Sequence, residues 1–450
     1  MQYTPEPLVN LNRFAVRQRF TAARHRTRAM FDMLDEATYY ERPIALRNPV
    51  VFYEGHIPAF AVNTLVKKAL GMPGVDEHLE VIFARGIDPE TEAAAIARGD
   101  PAWPSRDTVR QYAYAADRLV LNAIDGADLD RPGHPLLDRA QALWTILEHE
   151  EMHQETLAYI WHQLPHDLKR APTGYAASSA GPAALPVLSR RISIPRGIAT
   201  LGTDTRVESF AWDNEQPHHR VIVEGFTIDA CNVTNGQFLE FVREGGYREP
   251  RWWRPDDWAW IRAAGTEHPH FWNGHDGRWR YRGMFEWLPL PEDWPVYVTW
   301  AEASAFARWR GLRLPTEAEY HRAAFGTLDG PERTLPWGDS INIDTPANFD
   351  FRRWDPDPVG SHPESASAFG VHDLIGNGWE WTSTVFAPFQ GFNPLPSYPE
   401  YSAEFFDGEH FVMKGASPVT SRFLVRRGFR NWFRPRYPYV YATFRCAEDT

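Results

Sequence analysis

Cysteine is nearly missing: only Cys231 and Cys446 occur in 450 residues. A disulfide framework is thereby excluded, and a cytoplasmic location is expected. Long apolar runs are also missing. No stretch approaches the roughly 20 apolar residues of a membrane span, so no membrane partner is expected. The first residues, Met1-Gln2-Tyr3-Thr4-Pro5, carry no apolar signal core. Positive charge is in the minority, with 47 Lys and Arg against 59 Asp and Glu. No basic stripe stands out, which argues against a nucleic-acid partner. Internal repeats and long charge runs are absent as well. Aromatic residues, by contrast, are abundant at 14%, including 19 Trp. They furnish either aromatic-walled pockets or Trp-rich cores.

A chain of 450 residues is too long for one core, so two or three domains are expected. Residues 1–170 read as helical, with helical spacing over Asn12 to Leu34, Pro58 to Leu70, Thr108 to Ala123 and Leu136 to Leu164. Four such helices with short or moderate loops predict an up-down bundle. Residues 171–189 are small, uncharged and rich in Pro and Gly, which is linker composition, and the linker is expected over 171–190. From 191 to 450 the texture changes. Short β-like runs such as Arg220 to Val223 and Phe226 to Ile228 alternate with turn residues. Helical stretches interrupt them at Asn235 to Glu244 and Trp300 to Arg308. The whole reads as α+β.

The stretch with the clearest chemistry is His149-Glu150-Glu151-Met152-His153-Gln154-Glu155, an H-x-x-x-H-x-E pattern inside the fourth helix. Ile146, His149, His153, Leu157, Ile160 and Leu164 share one helix face. Two imidazoles one turn apart on an apolar face need partners, and such a pair can clamp one metal ion. The competing reading is two core histidines bonded to carboxylates such as Glu155. That glutamate lies about 200° from the ligand face, at ~100° per residue, which reads as structural.

The second half carries longer motifs. Pro217-His218-His219-Arg220-Val221-Ile222-Val223, Gly311-Leu312-Arg313-Leu314-Pro315-Thr316-Glu317 and Gly376-Asn377-Gly378-Trp379-Glu380-Trp381 resemble the formylglycine-generating-enzyme (sulfatase-modifying-factor) domain. The resemblance implies a C-type-lectin-like fold. Formylglycine enzymes use a cysteine pair near the C-terminus, whereas here no cysteine lies between Lys414 and Arg445. The fold is expected without that activity.

A DinB-like bundle with H-x-x-x-H-x-E, followed by this domain, resembles the iron-dependent sulfoxide synthases of ergothioneine biosynthesis, the EgtB family, and its selenoneine synthase (SenA) branch. The resemblance implies an Fe(2+) site of three histidines, matching His149, His153 and His56 of the Gly55-His56 pair. Zinc suits the same ligands, so ligand type alone does not select iron. The resemblance also implies small-molecule substrates: hercynine, a sulfur or selenium donor, and dioxygen. Asn431-Trp432-Phe433 matches the element that holds the trimethylammonium of hercynine. A quaternary ammonium offers no N–H, so aromatic faces recognise it best. Core aromatics are the alternative reading. A Ca(2+) ion near Asn377 is a further expectation of the resemblance.

The family's actinobacterial members bind γ-glutamylcysteine through two helix arginines, whose positions hold Ala113 and Ala116 here. Arg110 and Arg118 supply charge from other faces. Met152 stands where some relatives carry glutamine. The family's acid or base is usually a tyrosine, and Phe386 to Phe392 contains none. These departures lean toward a selenium donor such as a selenosugar, with a cysteine-type thiol next. Two other readings stay open: a metal-stabilised binding module without catalysis, and a zinc-dependent thiol transferase.

Overall fold

A computed structural model describes residues 11–84, 101–175, 190–206, 208–275, 277–338 and 347–450. Most of the linker expected at 171–190 lies outside the described residues. The chain forms two compact units. One runs to Gly174 and includes two later segments, Thr205–Phe210 and Pro394–Tyr401; the other comprises the rest.

The first unit is helical. Helix α1 (Arg13–Asp32) starts where Asn12 accepts a hydrogen bond from the Ala15 amide at 3.1 Å. Its buried stripe is Val16, Phe20, Ala23, Thr27, Met30 and Phe31, at steps of three and four. Helix α2 (Val50–Ala61) begins well before Pro58, so the expected start there is wrong. The order-breaking signal of Pro58 is instead spent inside the helix, where it removes one N–H from the ladder. The turns widen just after it into a π-helical run, Val62–Ala69, ended by a Leu70 amide bonding the Leu65 carbonyl at 3.1 Å. Short α3 (Glu77–Ile82) follows. Helix α4 (Arg106–Gly126) is capped by Ser105. Helix α5 (Gln141–Gln163) is buried on nearly every face, which marks it as central. The α1 and α2 helices both pack against α4 and α5, completing a four-helix arrangement.

The second unit mixes short strands and helices. Strands β1 (Arg191–Ile194), β2 (Gly197–Leu201), β3 (His219–Val223) and β4 (Phe226–Asp229) open it. Helices α6 (Asn235–Arg243) and α7 (Pro255–Ala264) come next, then β5 (Trp272–His275), β6 (Arg278–Arg282) and β7 (Trp287–Pro289). Helices α8 (Trp300–Trp309) and α9 (Glu317–Phe325) each begin with a capping box, Thr299 with Glu302 and Thr316 with Glu319. The remaining strands are β8 (Gly378–Val385), β9 (Phe411–Ala416), β10 (Asn431–Phe433), β11 (Ala442–Thr443) and β12 (Ala447–Asp449). The largest sheet has the order β10-β9-β8-β11, with β11 parallel to β8 and the other pairs antiparallel.

Part of the tryptophan that stands out in the composition is core. Trp212, Trp294, Trp379 and Trp381 are among the largest fully buried side chains. The Trp381 indole N–H finds a backbone acceptor, the Val298 carbonyl at 2.9 Å. At the centre, fully buried Arg445 makes a two-pronged pair with Glu380, 2.6 Å on each arm, and donates to the carbonyls of Asp229, Ala230 and His372. Removing either partner strands a buried charge, at a cost of about 3–5 kcal/mol. Both cysteines are free thiols. Burial pushes Cys231 up to about 11 and Cys446 higher still, so neither is a ready nucleophile.

Candidate metal centre

The centre is assembled from α2 and α5. On α2, Phe52, His56 and Phe60 lie four residues apart on one face. The Phe52 ring stacks on His56 at 4.8 Å and 17°. His56 is 4% exposed, and its Nδ1 lies 2.9 Å from the Phe83 carbonyl. A carbonyl only accepts, so Nδ1 carries the proton and Nε2 keeps its lone pair. This is the orienting bond that metal-bound histidines usually have. Gly55 explains the Gly-His pair: a Cβ there would sit 2.5 Å from three Phe83 ring atoms. Only glycine lets Phe83 approach closely enough to hold His56.

On α5, the His149 and His153 rings lie 4.4 Å apart, with their Nε2 atoms 3.1 Å apart. His56 completes a cluster whose three ligand nitrogens all lie within 4.8 Å of one another. Nitrogens about 2.1 Å from one ion are about 3.0 Å apart at a right angle and about 3.4 Å apart at the tetrahedral angle. The 3.1 Å separation lies in the range of two nitrogens that share one ion. Burial first, then the neighbouring imidazoles, hold His149 and His153 well below the usual histidine range. Both are neutral at neutral pH, the state that binds metal. The residues therefore fit a three-imidazole metal site.

Why the histidines face α2 is visible on the far side of α5. Glu151 takes a two-pronged bond from Arg19, at 2.9 and 2.6 Å. Glu150 accepts from Thr27 at 2.6 Å and pairs with Arg24, which also pairs with Asp117. Gln154 donates to the Ala23 carbonyl and to Thr27. The carboxylates of the H-x-x-x-H-x-E stretch thus bind α1, which leaves the opposite face to the imidazoles. Glu155 is not in the metal-ligating cluster.

Aromatic rings close around the imidazoles. Phe60 stacks flat on His149 at 3.5 Å and 8°, and the Tyr53 ring lies 5.8 Å from His153. One neighbour escaped the sequence reading. Tyr398, in the segment Pro394–Tyr401, has its ring 6.1 Å from His149 and 5.1 Å from Phe60. Tyr401 reaches the Met152 sulfur at 3.2 Å. Beyond the tyrosine-free stretch 386–392, the chain brings two tyrosines toward the imidazoles in Tyr398-Pro399-Glu400-Tyr401. Their spacing carries no periodic signal, because the segment has no helix or strand.

The donor-side positions are also defined. Ala116 is buried and Ala113 half-buried on α4. Arg110 is engaged by Asp32 at 2.6 Å and Glu54 at 3.3 Å, while Arg118 is exposed. In the second unit, Asn431, Trp432 and Phe433 form β10 and are each half-buried. Alternation along the strand puts Asn431 and Phe433 on one face and Trp432 on the other. Trp432 stacks on Phe386 at 4.3 Å and 6°, and Phe433 stacks on Tyr437 at 5.2 Å and 15°.

The calcium expectation gains no support. The Asn377 side-chain oxygen already accepts from Asn348 at 3.0 Å and from the Asp357 amide at 2.8 Å. Its amide donates to the Asp357 carbonyl at 2.9 Å. Among the described residues, the three histidines are the one grouping of metal-ligating side chains.

Comparison with known proteins places this geometry. A family model for the DinB superfamily matches residues 19–157, and one for the sulfatase-modifying factor enzyme 1-like domain matches residues 177–450. A hercynine oxygenase of Mycolicibacterium smegmatis is 32% identical over 436 residues, covering 95% of this chain and 97% of the relative. The chain belongs to the hercynine oxygenase family. A second family member, from Mycobacterium tuberculosis, is 37% identical over 308 residues, covering 68% of this chain and 70% of its own length. The Ergothioneine biosynthesis protein 1 of Neurospora crassa is 27% identical, and the match covers 93% of this chain and 56% of the longer fungal protein. Family membership makes the chain an oxidative enzyme with a DinB-type helical domain and a sulfatase-modifying-factor-type domain. No helix among the described residues is long and apolar enough to cross a membrane.

Proposed function

We propose that the chain is a nonheme Fe(II), dioxygen-dependent synthase that joins sulfur or selenium to C2 of the hercynine imidazole. The observation that carries this reading is the cluster of His56, His149 and His153 in a chain matched nearly end to end with a hercynine oxygenase. Bound iron supplies the redox chemistry that activates dioxygen. The chain supplies the rest. His56, oriented by the Phe83 carbonyl, joins His149 and His153 as ligands. Phe52 and Phe60 keep water from two of the imidazoles. Tyr398 is the group that exchanges a proton at the reacting imidazole, since it is half-exposed and abuts His149. Asn431, Trp432 and Phe433 recognise the trimethylammonium group. In sulfur terms the balance is a thiol, the imidazole C–H and dioxygen in, and a sulfoxide and water out. With two free thiols and no disulfide, the cytoplasm is the compartment that suits the chain.

The donor we favour is a selenium compound such as a selenosugar, followed by a cysteine-type thiol. Tyr398 weakens one argument for selenium, namely that the site has no tyrosine. The other argument gains support: Ala113 and Ala116 offer no charge, and the Arg110 guanidinium is taken by two carboxylates. A carboxylate clamp contributes about 1.5–3 kcal/mol per charge-assisted bond, so γ-glutamylcysteine is disfavoured. The test gives Fe(II)-loaded enzyme hercynine, oxygen and three donors together: γ-glutamylcysteine, cysteine and a selenosugar. Mass spectrometry should find the selenium product in excess. Predominant γ-glutamyl-hercynylcysteine sulfoxide overturns the donor assignment. Turnover by the zinc form without oxygen overturns the oxygenase reading itself.

A further inference from the structure

The segment Pro394–Tyr401 lies, by sequence, within the sulfatase-modifying-factor-type domain, yet it packs as part of the helical unit. Nothing in its own backbone explains its hold. It has two turn bonds, from the Tyr398 amide to the Leu395 carbonyl and from the Tyr401 amide to the Tyr398 carbonyl. Besides the ring contacts of Tyr398, polar bonds tie it to the helices on either side of residue 397. The Ser397 and Thr145 hydroxyls meet at 2.7 Å, and both residues are buried, at 4% and 0% exposure. Thr145 has a single hydroxyl proton, which it gives to the Gln141 carbonyl at 2.9 Å. Ser397 must therefore donate and Thr145 accept. From the other side, Lys68 donates to the Pro396 carbonyl at 3.0 Å and the Ser397 carbonyl at 3.5 Å. Lys68 belongs to the π-helical run behind Pro58. Thr145 lies one helical turn before His149 on α5, so the anchor and the imidazole share a rigid element.

We propose that Thr145, Ser397 and Lys68 form a latch that holds Tyr398 against His149, acting as positioning residues for the proton-exchanging hydroxyl. The proposal rests on the reading of Tyr398 given above. The latch grips residues 396 and 397, next to the tyrosine, and a tyrosine displaced by about 1 Å loses its reach to a reacting atom. Polar contacts suit such a role. They fix one geometry, where an apolar contact tolerates sliding.

The test pairs hydrogen exchange on metal-free protein with kinetics on the iron-loaded form. Thr145→Val keeps the side-chain shape and removes the acceptor. Ser397→Ala and Lys68→Met remove the other arms from a loop and an exposed position, where misfolding is not at issue. The amides of Tyr398 and Tyr401 should exchange about two- to tenfold faster in each, as expected for one lost bond. Thr145→Ser should restore the wild-type rate. In the iron-loaded variants, kcat should fall by a similar factor, with iron content and the KM for hercynine unchanged. Unchanged exchange in all three variants overturns the latch. Faster exchange with undiminished kcat, in an enzyme that Tyr398→Phe inactivates, overturns the positioning role. If Tyr398→Phe itself keeps full kcat, the proton role of Tyr398 falls, and faster exchange in the three variants still supports the latch as the hold on this segment.

Discussion

Acidifying the metal-free protein should loosen the helical unit, and His149 and His153 should carry the effect. Both are held well below the ordinary histidine value of 6.5, chiefly by burial. Below pH 6.5 the unfolded chain takes up protons that these imidazoles refuse in the fold, so stability falls as pH falls. Between pH 7 and pH 5 proton uptake by the unfolded chain caps the loss at about 2 kcal/mol per histidine, or about 4 kcal/mol for the pair. Glu150 acts in the opposite sense. Burial raises it from 4.5 to about 7, so the folded state binds its proton first and gains stability as pH falls from 7 toward 4.5. That gain is about 2 kcal/mol over the same interval, which leaves a net loss of at most about 2 kcal/mol. The measurement is urea unfolding with a chelator present, followed by helical circular dichroism at both pH values. The decisive comparison is with a His149→Gln, His153→Gln double variant. It keeps the Glu150 gain and lacks the histidine loss, so the two proteins should diverge by up to about 4 kcal/mol on acidification. Equal losses in both proteins would refute the reasoning.

Three further outcomes are expected. Alanine at His56, His149 or His153 should abolish iron retention in a chain that still folds; iron content in His56→Ala equal to wild type would remove that residue from the site. Gly55→Ala would set a Cβ 2.5 Å from the Phe83 ring and should force that ring away, costing about 1–3 kcal/mol and weakening iron binding with it. Thermal melts and a metal-competition titration would read both, and no change in either would mean that Phe83 does not orient His56. Trp432→Ala should raise the KM for hercynine by a factor of about 2–30, from ~0.5–2 kcal/mol for one cation–π face, and leave the donor KM unmoved. An unchanged hercynine KM would return Trp432 to the core.

Part of the histidine cluster could be read from the chain because helix periodicity is local. His149 and His153 declare their shared face through a spacing of four, whereas His56 follows only from the family resemblance at the Gly55-His56 pair. The helix around His56 was read eight residues short, since Pro58 normally ends a helix at its own position. Here the chain absorbs the missing bond by widening the following turns. The surroundings of the imidazoles were less accessible. Phe60 and Phe52 follow from helix geometry once His56 is fixed, but the Phe83 carbonyl comes from backbone, which no residue type announces. Tyr398 lies 249 positions from His149 and belongs to a segment without repeating structure. The segment's contacts with Phe60, Thr145 and Lys68 come from residues distant in the chain and leave no pattern in sequence. In the second unit, the tryptophans that suggest pocket walls by their number are in part spent on the core.

The late arrival of Tyr398 has a consequence in time. The helical unit has its three imidazoles once α5 has been synthesised, and Pro394 follows some 230 residues after Gln163. At roughly 5–20 residues per second, the ribosome needs about 10–50 s to make that stretch. Throughout this interval the nascent chain holds His56, His149 and His153 without the tyrosine that later sits beside them. The helical unit thus receives its last segment only when the second unit is nearly complete, so its final packing waits on the synthesis of a different unit.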